Sequence, residues 1–132
     1  MKDKYLGFSR VATRGYSYCT STFFNPFTLE VQVNQLIPNA SYPFVHVHEL
    51  THQMGVGFED ECNFIAFLIL KDNEDTWYKY SAYYSAVEYL LRSLYGDKEL
   101  FDFYKAKLAP KVINDFKQER EFWQSYRGWV DK

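Results

Sequence analysis

A chain of 132 residues, 47% apolar and 20% aromatic, is long enough to bury a core as one domain, which excludes a disordered segment. A formal net charge of −2 without a basic stripe excludes nucleic acid as a partner. Cys19 and Cys62 are too far apart for a cysteine metal knuckle or redox pair and read as two reduced thiols.

Residues 1–10 do not read as a signal peptide, and the longest apolar run, Phe64 to Leu70, is too short to span a bilayer. The chain as given is therefore expected to be soluble. No internal repeat or linker divides it, so residues 1–132 form a single domain with two textures. Residues 1–42 carry Gly, Pro, Ser and Thr and suggest strand and loop; residues 43–132 suggest helices.

Tyr16 to Phe24, rich in Tyr, Phe, Thr and Ser, predicts a strand that Asn25-Pro26 breaks. In Thr28 to Asn34, Leu29, Val31 and Val33 alternate with Glu30, Gln32 and Asn34, the period of a half-buried strand. Pro43 suits the first turn of a helix over Phe44 to about Met54, which Gly55 and Gly57 stop. A second helix is predicted from Phe58 or Glu59 to Leu70, with Cys62, Ile65, Ala66 and Ile69 on its buried side. Asp75 or Thr76 caps a third that reaches Tyr95, with an apolar stripe of Trp77, Tyr80, Tyr84, Val87, Leu91 and Leu94. Asp97 caps a short fourth helix to Leu108. Pro110 opens a fifth, with Gly128 past its end. The expected fold is mainly α with an α+β character: a small N-terminal β-strand region packed on the helix over Phe44 to about Met54 and about four further helices.

The chemistry concentrates in His48-Glu49-Leu50-Thr51-His52. On a helix, His48 and His52 share one face, a turn apart, and can grip one metal ion. Glu49 lies beside them, within reach of a metal-bound water. With three His and nine Glu in the chain, this pattern has a chance expectation on the order of 0.005, so coincidence is a poor account of it.

Catalytic zinc takes three protein ligands and leaves one position for water. His46, two residues before His48, points to another face, and a surface or partly buried histidine is its plainer reading. The better source is Glu59-Asp60-Glu61-Cys62-Asn63, brought back to the histidines by a reversal at Gly55 and Gly57. Glu59 borders the buried side of its helix and has Asn63 one turn on to support a ligand. Glu61 is the alternative, then Asp60. The plain reading of all three acids is a favourable interaction with the helix dipole.

His48-Glu49-Leu50-Thr51-His52-Gln53, Gly55 and Glu59-Asp60-Glu61-Cys62-Asn63-Phe64 together resemble an uncharacterised bacterial family of membrane-anchored HExxH proteins, a domain-of-unknown-function family. The likeness extends to Asn25-Pro26-Phe27-Thr28-Leu29-Glu30, Val33-Asn34, Pro43-Phe44 and Tyr80-Ser81, covering most of residues 9 to 116 in order. The resemblance implies a gluzincin-like site with Zn2+ on His48, His52 and Glu59 and Glu49 as base, and it favours Glu59 over Glu61. Cys62 stands where the family has a small Ala. Family members also carry transmembrane segments before the domain and continue beyond the position of Lys132, so this chain reads as an excised domain or a compact relative.

The expected function is a zinc-dependent metallopeptidase acting on a peptide or protein through a zinc-activated water, with Glu49 as general base. The peptide would lie along the strand Leu29 to Asn34. Tyr80 or Tyr84 would donate to the developing oxyanion, packed rings being the plainer use of both. Glu30 would orient a ligand or shape the cleft, unless it simply faces solvent. The competing expectations are a non-catalytic zinc-binding regulatory or interaction domain, and a helical interaction domain without metal.

Overall fold

In the computed structural model, the structure describes residues 22–25, 30–33 and 37–130, with side chains described for 37–125. The order is β1 (Thr22–Asn25), β2 (Glu30–Val33), α1 (Tyr42–Gln53), α2 (Glu59–Leu70), α3 (Thr76–Ser93), α4 (Lys98–Ala106) and α5 (Pro110–Val130).

The expected fold class needs correction. Among the described residues this is a helical protein: five helices make up most of them, and the strands amount to one short antiparallel pair beside α1. Of the expected strand over residues 28–34, the described residues Glu30 to Val33 pair antiparallel with Thr22 to Asn25, and residues 28, 29 and 34 lie outside the described residues. Two strands of four residues are a hairpin, too short to bury a face of their own, so helix packing has to supply the core. Of the expected first strand, residues 16–21 lie outside the described residues, as does Cys19.

Local chemistry explains where the helices begin and end. Asp75 accepts a hydrogen bond from the Trp77 amide, and Asp97 accepts one from Leu100, so each caps a helix start. Ser41 is the N-cap of α1, with Pro43 in the first turn, where a missing N–H costs nothing. The Phe44 amide, otherwise without a helical partner, donates to Ser81 Oγ at 3.0 Å and ties α1 to α3.

α1, α2 and α3 pack on one another around Cys62, Ala66, Ser81, Ala82 and Tyr84. On α2 the buried side is the narrow row Cys62, Ala66 and Leu70; Ile69, expected there, is 54% exposed. α5 meets this unit through the Tyr84–Phe116 ring pair, 4.7 Å between centroids, and through Tyr hydroxyl bonds to Asp115 and Glu119. Gly128 does not end α5, which continues to Val130. An interior glycine costs a helix only about 1 kcal/mol relative to alanine, too little to break one this long. Among the described residues, no helix is long and apolar enough to cross a membrane.

Candidate metal centre

The site begins with how α1 ends. Gly55 takes φ 101°, the left-handed region that glycine adopts without strain. Its amide donates to His52 O at 3.0 Å, and the Val56 amide donates to Thr51 O at 3.3 Å. These two bonds form a Schellman cap, which turns the chain sharply and starts α2 only six residues after α1 stops. The first turn of α2 thereby faces the last turn of α1.

That reversal brings Glu59 to the two histidines. Its carboxylate oxygens lie 2.9 Å from His48 Nε2 and 3.0 Å from His52 Nε2. The imidazole rings stand edge to face, 4.9 Å between centroids. His48, His52 and Glu59 form the group among the described residues that can hold a metal ion. Asp60 accepts from Tyr89 at 3.2 Å, and Glu61 is exposed on the same turn; neither belongs to the group. His46 is buried with its ring against Tyr42, 4.1 Å between centroids, and is also outside the group.

The tautomers are set from behind. His48 Nδ1 lies 2.8 Å from Asn63 Oδ1, and His52 Nδ1 lies 2.8 Å from the Val56 carbonyl. Both oxygens only accept, so each ring donates from Nδ1 and turns Nε2 toward Glu59. The two Nε2 atoms and the Glu59 carboxylate can share protons as ion pairs, or offer their lone pairs together to a metal ion. A zinc ion bound at about 2.1 Å would hold tetrahedral ligand atoms roughly 3.4 Å apart, so seating one here would open the 2.9 and 3.0 Å contacts slightly, and two imidazole nitrogens with a carboxylate are a donor set that zinc accepts.

Cys62 packs behind His52, with Sγ 3.4 Å from Nδ1 and 3.6 Å from the Val56 carbonyl. Burial, and then the charges of Glu59, Glu49 and Glu61, push this thiol above its ordinary range. It sits on the Nδ1 side of the ring, away from the ion-facing nitrogens.

Glu49 is buried beside His48 and lines the same cleft as the three ligands, a space of about 1300 Å³. The histidine side chains are 11% and 18% exposed, whereas that of Glu59 is 73% exposed, so the site is supported from within and open on the carboxylate side.

The two tyrosines considered as oxyanion donors are placed elsewhere. Tyr80 OH donates to Asp115 and Tyr84 OH donates to Glu119, and neither lines the cleft. Burial first, then these hydrogen bonds, raise both phenols far above their usual range. Glu30 sits in β2 opposite Asn25; its side chain lies outside the described part.

Two contributors were not legible beforehand. The Val56 carbonyl is a backbone group with no residue-type signature. Glu119 lines the cleft from α5 and accepts from Ser41 Oγ at 3.2 Å and Tyr84 OH at 2.5 Å, across separations that no local pattern reveals.

The family model described as "Protein of unknown function (DUF3810)" matches residues 8–132. The chain belongs to the DUF3810 family. No curated protein and no solved structure matches it.

Proposed function

We propose that this DUF3810 domain is a zinc-dependent metallopeptidase. The observation that carries the reading is the convergence of His48 Nε2, His52 Nε2 and the Glu59 carboxylate in an open cleft that also holds Glu49. A structural zinc site closes its coordination with a fourth protein ligand, whereas three ligands leave a position for water or substrate. The group among the described residues has three members, which supports the catalytic reading over a non-catalytic zinc-binding module.

His48, His52 and Glu59 would hold the ion, Asn63 and the Val56 carbonyl keeping the rings oriented. When bound, zinc would lower the pKa of its water to about 7 and polarise a peptide carbonyl. Glu49 would take the proton from the attacking water and pass it to the leaving amine. Its burial keeps that carboxylate out of bulk solvent, where it would be screened. An extended peptide would run along β2, which lies beside α1. The membrane-anchored habit of the family that the sequence resembles would put such substrates at a membrane surface.

The test is Glu49→Gln assayed against a quenched-fluorescence peptide library. The variant should keep its zinc and lose hydrolysis by roughly 10²-fold or more. Undiminished cleavage by the zinc-loaded variant rejects Glu49 as the base. A wild-type protein that binds zinc and cleaves nothing in the library points instead to the non-catalytic module.

A further inference from the structure

The cleft presents two different surfaces. α1 contributes His48, Glu49 and His52, and α2 contributes Glu59. Beyond these, the α2 and α3 walls turn apolar, with Phe64, Phe67, Tyr89 and Leu90. Phe64 is 63% exposed and Leu90 61%. Large apolar side chains gathered at the mouth of a site mark a binding surface more often than scattered exposure does. α3 also lines the cleft with Ser85 and Ala86, half-buried and small, whose short side chains leave room for a guest side chain.

The charges lining the cleft already have uses. Arg92 pairs with Glu88 at 2.5 Å, Asp60 accepts from Tyr89, and Glu119 accepts from Ser41 and Tyr84. Glu59 faces the histidines, and Glu49 has the role assigned above. A substrate side chain on the α2 and α3 walls therefore meets rings and aliphatic groups, with no uncommitted charge among these residues to receive a charged group. Burying a charge there would cost desolvation without repayment, whereas burying an apolar side chain is favourable.

We infer that the site selects peptides with a bulky apolar residue, Leu, Phe or Tyr, beside the scissile bond, seated over Ser85 and Ala86 with Phe64 and Leu90 at its rim. This rests on the peptidase reading, and it is testable apart from turnover. Fluorescein-labelled Ala-Gly host peptides, each with one guest residue, would be titrated by anisotropy with zinc-loaded Glu49→Gln protein. Leu, Phe and Tyr guests should bind at least about tenfold tighter than Asp, Lys or Ser guests. Ala86→Trp, which fills that room, and Phe64→Ser, which removes the rim, should each erase that preference while retaining one zinc per chain. Equal affinity for all guests, no binding of any guest, or a preference that survives both substitutions would overturn the inference. Binding to phosphatidylcholine vesicles without guest discrimination would assign the apolar rim to lipid and overturn it as well. Wild-type hydrolysis with no side-chain preference sinks this inference and leaves the peptidase reading standing; a clear binding preference without hydrolysis does the reverse.

Discussion

Replacing Asn63 with Ala tests how the metal centre is held. Asn63 Oδ1 lies 2.8 Å from His48 Nδ1, on a ring whose side chain is only 11% exposed. Removing the acceptor leaves a buried N–H without its partner, a penalty of about 1–3 kcal/mol. It also frees the ring to rotate or to move its proton to Nε2, and either change withdraws the lone pair from the ion. Loss of such a supporting partner typically weakens metal binding by about 10–100-fold, or roughly 1.4–2.7 kcal/mol, which agrees with the desolvation figure. The assay is zinc competition against a chromophoric chelator at fixed pH and salt, with circular dichroism to confirm helix content. Asn63→Ala should keep its helicity and bind zinc at least about tenfold more weakly. A folded variant with unchanged zinc affinity would refute the argument that Asn63 sets the His48 tautomer.

Gly55→Ala places a Cβ at φ 101° with nothing within 4 Å of it, so the cost is backbone strain alone, about 1 kcal/mol. A thermal midpoint lowered by about 3–6 °C checks this, and no change would show that the cap tolerates a side chain. Glu119 is raised above the ordinary carboxylate range, first by burial. A raised folded-state pKa favours the protonated form, so its stabilising contribution is complete below the unfolded value near 4.3 and is lost as pH rises through the folded one. Wild-type stability should therefore fall over that rise relative to Glu119→Gln, and parallel midpoint–pH curves for the two proteins would contradict the sign. Tyr80 and Tyr84, raised by burial and by carboxylate partners, should stay protonated where ordinary tyrosines ionise near pH 10. Spectrophotometric titration at 295 nm should show them ionising only on alkaline unfolding; full titration of every tyrosine in the folded protein would argue against those contacts.

Helix positions were largely legible because their signals are local. Asp75 and Asp97 cap helices that begin one residue later, and Gly55 ends α1 in the left-handed conformation that its lack of a side chain allows. The same locality made the metal-ligand group readable: a four-residue histidine spacing and a carboxylate after a glycine turn need only α1, α2 and the reversal between them. What depends on neighbours was not readable. Alternation in residues 28–34 is compatible with a half-buried strand in a sheet, but it cannot say that the described strand Glu30 to Val33 has one partner, Thr22 to Asn25, and packs beside α1. Ile69 shares the helical period of the α2 core, yet it is 54% exposed while Cys62, Ala66 and Leu70 are buried. Packed rings are the plainer use of Tyr80 and Tyr84 from sequence, but nothing local shows that the carboxylates engaging their hydroxyls come from α5, 35 residues away.

The most direct test of a three-ligand centre is anomalous diffraction above and below the zinc absorption edge on crystals of zinc-loaded protein. One peak is expected, bound by His48 Nε2, His52 Nε2 and a Glu59 oxygen, with its remaining position held by water. No peak at that place, or a peak closed by a fourth protein ligand such as Cys62, would contradict it.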